Sequence, residues 1–166
     1  MQPIAFINYL LASFISLLGL GVGIVLLKIA PEEKKMLEKN FSLARKILLL
    51  MIFIASIVYF YYSGKYHYLI LVLAGLLIQL YCESNINKLS GKSAINYASY
   101  GVIFFLSSGN LSFFALICSL IFLYGMATGS MLYNRKGASF FRIFSYNSVF
   151  LATANLIYLG LDIFIN

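Results

Sequence analysis

The chain has 166 residues, of which 62% are hydrophobic and only 10% are charged. Soluble domains carry about 25% charged residues, so this composition cannot clothe a water-facing surface and speaks against a soluble enzyme. The net charge of +7 sits in short loops between apolar runs, an arrangement that argues against nucleic-acid binding and fits loops held on the cytoplasmic side of a bilayer.

In lipid, only helices and closed barrels satisfy every backbone polar group. Barrel strands alternate apolar and polar residues, whereas the runs here are unbroken. They predict helices over residues 4–27, 43–62, 66–82, 93–107, 111–133 and 143–164. The first run is preceded by no basic residue and is too long for the core of a signal peptide. It is therefore expected to stay as a span. Gly19 and Gly23 share one face of it, and such spacing lets helix backbones approach closely.

The loop after the first span holds Lys28, Lys34, Lys35, Lys39, Arg45 and Lys46. Its Ala30-Pro31-Glu32-Glu33 reads as a helix start, with proline in the first turn and acids at the positive end of the dipole. A short amphipathic cytoplasmic helix over 31–42 is expected to run into the second span. Lys34, Lys35, Lys39 and Arg45 are its candidates for contact with anionic lipid or a partner. The second loop is short and tyrosine-rich (Tyr59, Tyr61, Tyr62, Tyr66, Tyr68), as suits an interfacial belt.

The third span ends in the most polar stretch near the membrane, Cys82-Glu83-Ser84-Asn85-Ile86-Asn87-Lys88. Gln79 and Glu83 are one turn apart on one face, and Asn96 opens the next segment. An acid at membrane depth costs a few kcal/mol and marks function more often than chance. Gln79, Glu83, Asn85 and Asn96 are therefore the candidate polar or ion-handling site. The plainer reading is a helix end where Glu83 pairs with Lys88 or Lys92. Cys82 and Cys118 fall at different depths, too far apart to bridge, and are expected to stay free thiols.

The fourth segment is short for a span, which takes about 17–25 residues. Charge supports it nonetheless. Loops one, three and five hold eleven of the twelve basic residues, and the other side has only Lys65. Six crossings with both termini outside keep that bias; five would dilute it. Gly125 and Gly129 in the fifth span repeat the spacing of Gly19 and Gly23, and both spans lead into a basic loop and a returning helix. Asn147 and Asn155 in the sixth share a face and are placed for interhelical hydrogen bonds.

The chain thus reads as one domain over 1–166, an all-α integral membrane protein built as a six-transmembrane-helix bundle. A prokaryotic plasma membrane or an organellar inner membrane suits the loop charge. The one histidine, His67, lies in a short loop, and CxxC, GxSxG, P-loop and dinucleotide patterns are missing. No catalytic set, metal site or cofactor is expected. The first functional expectation is a non-catalytic subunit of a larger membrane complex, with the bilayer and other membrane subunits or further copies of the chain as partners. The second is a small oligomeric transporter or channel with its polar site around Glu83. A lipid-modifying enzyme ranks third.

Overall fold

The computed structural model describes residues 5–29, 34–133 and 139–165, with the side chains of 34–39 and 161–165 excepted. Its seven helices are α1 (Phe6–Ile29), α2 (Lys34–Tyr62), α3 (Tyr66–Asn85), α4 (Leu89–Ser107), α5 (Leu111–Tyr133), α6 (Phe140–Asn147) and α7 (Val149–Ile165). The long apolar runs make these helices because each can close its own backbone hydrogen bonds without water. Short turns separate several of them. Gly64 supplies a positive φ of 66° between α2 and α3, a conformation that glycine adopts without steric cost. The Asn110 side-chain oxygen accepts a hydrogen bond from the backbone N–H of Phe113 at 3.0 Å and so caps α5.

Four helical stretches, Phe6–Ile29, Asn40–Tyr62, Tyr66–Asn85 and Leu111–Tyr133, are long and apolar enough to cross a membrane. Length and composition thus give a multi-pass helical membrane protein, and the number of packed rods fits a six-helix bundle once α6 and α7 are taken as one broken rod. The break corrects the expectation of one helix over 143–164. It falls at Ser148, where Asn147 Nδ2 donates to the Ile143 carbonyl and Ser148 Oγ to the Ser145 carbonyl. The helix expected from residue 93 also starts a turn earlier, at Leu89. The expected surface helix over 31–42 begins outside the described residues; from Lys34 onward the backbone is one helix continuous with the second span.

Rods that follow one another in the sequence alternate in direction. Arg45 meets Glu83 while Phe60 meets Tyr68, so α2 and α3 are antiparallel. Lys92 meets Glu83 while Ser99 meets Gln79, which sets α4 against α3. Ser93 meets Asn147 and Tyr97 meets Phe150, so α4 runs with α6 and α7. Lys28, Arg45, Lys46, Lys88, Lys92 and Arg142 therefore share one end of the bundle.

Sequence neighbours are not always packing partners: α1 lies chiefly on α5, and α4 on α7. The α1–α5 seam is parallel and close. A Cβ built on Gly19 would come within 2.1 Å of the Phe122 carbonyl oxygen, and one on Gly23 within 2.1 Å of that of Met126. From the other side, a Cβ on Gly125 would meet the Leu20 nitrogen at 2.9 Å and one on Gly129 the Leu20 oxygen at 2.2 Å. The two glycine pairs thus face one another within a single chain. Ser130 Oγ adds a hydrogen bond to the Gly23 carbonyl at 2.7 Å. Lipid offers no hydrophobic drive between helices, so van der Waals packing at such seams carries the association.

The interior beside this seam is aromatic. Tyr9, Tyr97, Tyr100, Phe104, Tyr124 and Phe150 are fully buried and meet largely edge to face. The Tyr100 and Tyr124 ring centroids, for example, are 4.8 Å apart, a spacing that favours aromatic pairs beyond plain burial. Tyr9 Oη donates to the Ala154 carbonyl at 3.0 Å. Outside, Leu, Ile and Val side chains of α1, α2 and α3 stay exposed, as lipid-facing surfaces do.

Candidate functional site

The most polar part of the interior lies at the basic end, where α2, α3, α4 and α5 meet. It starts from Arg45, two residues before the apolar run Ile47–Leu50 of α2. That position sends the guanidinium inward, where it is only 3% exposed. Its Nη2 meets Glu83 Oε1 of α3 at 2.5 Å, and its Nη1 donates to Tyr124 Oη of α5 at 3.3 Å. Asn96 Nδ2 of α4 donates to the same phenolic oxygen at 2.6 Å. Lys92 of α4 completes the arrangement, with Nζ 2.5 Å from the Glu83 backbone oxygen and 3.2 Å from Glu83 Oε2.

Glu83 is therefore held by two cations. Both of its oxygens are engaged, and its side chain is 20% exposed. A lone carboxylate at this depth would be costly; charge-assisted pairing on both oxygens makes its burial tolerable. Arg45 keeps one buried donor, Nε, without a hydrogen-bond partner.

Beside the network lies a cavity of about 590 Å³ lined by residues of α2, α3 and α4, by Asn87 of the turn between α3 and α4, and by Met131 of α5. Its polar wall contains Arg45, Lys46, Glu83, Ser84, Asn87 and Lys92. Three cationic side chains face one carboxylate that is already neutralised, so the cavity is electropositive. The size lies within the range of about 300–1,000 Å³ common for small-molecule sites. Among the described residues, the lining has no histidine or cysteine, and no group of three or more metal-ligating side chains occurs.

The four polar candidates from the sequence do not form one site. Glu83 and Asn96 belong to the network, the latter through Tyr124. Gln79 is fully buried one turn above and ties α3 to α4, with Nε2 donating to Ser99 Oγ at 2.7 Å and to the Ile95 carbonyl at 3.3 Å. Asn85 is exposed and bonds only its own helix, at the Tyr81 carbonyl; it stands apart from the cavity lining. Arg45 requires a larger correction. Counted as a surface contact, it is the buried centre of the network, because its partner Glu83 comes 38 residues later on the adjacent helix. The side chains of Lys34, Lys35 and Lys39 lie outside the described residues. Cys82 and Cys118 are free. The pairing of Glu83 with Lys92 is present, joined by Arg45.

Tyr124 sits in an apolar run of α5 that gives it no local mark in the sequence. A signal did exist on α4: Ser93, Asn96, Tyr97, Tyr100 and Ser107 recur at helical spacing and are all buried. A polar stripe in a membrane segment faces protein, not lipid. Comparison with protein-family models, curated proteins and solved structures finds no match.

Proposed function

We propose that the protein is a non-catalytic, six-crossing membrane protein, with both termini outside, that holds an anionic ligand in its basic-end cavity. The supporting observation is the Arg45–Glu83–Lys92 cluster beside Lys46. The carboxylate is consumed internally, while Arg45, Lys46 and Lys92 still line open space. Cationic side chains of this kind are suited to an oxyanion, to which they give charge-assisted hydrogen bonds. Catalysis finds little support, because the one carboxylate is tied to two cations and so makes a poor general base. An open channel is disfavoured by the fully buried rings of Tyr97, Tyr100, Phe104 and Phe150, which fill the bundle above the network. Membership in a larger complex rests only on the chain's scarcity of catalytic groups.

The binding reading is tested by thermal unfolding of the purified chain in detergent with inorganic pyrophosphate as the probe. A ligand that binds only the folded state raises stability as its concentration exceeds Kd. The midpoint should rise for the wild type and much less for Lys46→Glu, an exposed position. An unchanged midpoint in the wild type, or an equal rise in the variant, would refute the reading. The crossings are tested in a Cys82→Ser/Cys118→Ser background. Single cysteines at Ser63 and Ser90 should label from opposite sides; labelling from one side contradicts six spans.

A further inference from the structure

A second cavity, of about 240 Å³, lies between the same three helices, farther from the basic end. Its wall is almost wholly apolar: Phe53, Leu71, Ala74, Gly75, Ile78 and Val102 among others. It opens outward, since Leu71 and Ile78 are 47% and 54% exposed. Small side chains create it. A Cβ on Gly75 would already touch the Phe53 ring at 3.4 Å, so that ring is the floor. Helix register gives its distance from the cationic wall. Gly75 precedes Glu83 by eight residues and Ser99 follows Lys92 by seven, which is about 10–12 Å along the axes.

An electropositive cavity at one end of three helices and an outward-facing apolar groove about 10–12 Å deeper on the same helices match the two halves of one amphiphile. We infer that the two cavities form a single site for an anionic phospholipid of the basic-side leaflet. The phosphate sits among Arg45, Lys46 and Lys92, and one acyl chain lies along Ala74, Gly75 and Val102 over the Phe53 ring. The polarity is that of a lipid in its own leaflet, with the headgroup at the basic end and the tail toward the bilayer middle. The groove is too small for a helix, whose diameter is about 10–12 Å. The inference rests on the reading of the larger cavity as an anion site.

The test uses the full chain and native mass spectrometry, with phosphatidylglycerol, phosphatidylcholine and soluble glycerol 3-phosphate as probes. Wild type should retain phosphatidylglycerol over phosphatidylcholine by about fivefold or more, the worth of one cationic side chain near a membrane surface. Lys46→Glu should abolish that preference. Ala74→Phe, at an exposed position, should fill the groove and weaken phosphatidylglycerol retention about tenfold, because each displaced methylene costs several-fold in affinity. It should leave glycerol 3-phosphate binding unchanged. Val102→Phe fills the groove from α4 and serves the same purpose if Ala74→Phe does not fold. Glycerol 3-phosphate binding as tightly as the lipid, or retention unaffected by both groove variants, overturns the lipid inference and leaves the anion site standing. Failure of every anionic probe overturns both.

Discussion

The α1–α5 seam and the basic end of α2, α3 and α4 are built on opposite plans. At the seam, glycines let two backbones touch, and any added side chain meets main chain. At the basic end, long charged side chains span the gap between helices and leave a cavity of about 590 Å³. Backbone against backbone is rigid and dry; arginine, lysine and glutamate across a gap can exchange partners with a ligand. The chain thus separates a part that holds the bundle together from a part with room to bind.

Substitutions can break that contrast, the largest effect being expected at the seam. Gly23→Ile forces the α1 and α5 backbones apart and should destabilise by about 3 kcal/mol or more, read by denaturant unfolding in detergent. A loss below about 1 kcal/mol would show that the seam yields. Next comes Glu83→Gln, which leaves the buried Arg45 cation with neutral partners only, the Tyr124 hydroxyl and the new amide. Breaking a buried pair costs about 3 kcal/mol. The double variant Arg45→Met/Glu83→Gln should lose at least about 1 kcal/mol less than the two single losses added together. Strict additivity would mean that the two side chains do not interact.

Tyr124→Phe sharpens the comparison further. It removes the oxygen that accepts from Arg45 and Asn96, and stranding those donors should cost about 2 kcal/mol. A neutral result would place another acceptor there. The smallest effect belongs to Asn85→Ala. Asn85 is exposed and bonds only its own helix, so unfolding should change by no more than about 0.5 kcal/mol, and anion binding should be unaltered.

The two regions were unequally legible in the sequence. Both glycine pairs are visible as spacings, and spacing fixes which helix face is bare. It does not name the partner, and that Gly19 and Gly23 meet α5 of the same chain is a tertiary fact. At the basic end, the pattern picked out Glu83 because acids are scarce in apolar runs, but it placed Arg45 at the surface. Charge counting along a chain measures position, not depth, and the depth of Arg45 is set by a carboxylate on another helix. The fourth apolar segment reads as weak for a related reason. Its serines, asparagine and tyrosines lowered its apolar character, yet they line the bundle interior. The break at Ser148 carries no glycine or proline to announce it in the sequence.

The division between a fixed seam and a ligand-binding basic end is tested most directly by hydrogen exchange. The full chain is placed in nanodiscs of phosphatidylcholine with and without phosphatidylglycerol. Anionic lipid should slow exchange in residues 42–50 and 80–92 and leave residues 16–24 and 118–130 unchanged. Equal slowing in both regions, or slowing confined to the α1–α5 seam, would contradict the account.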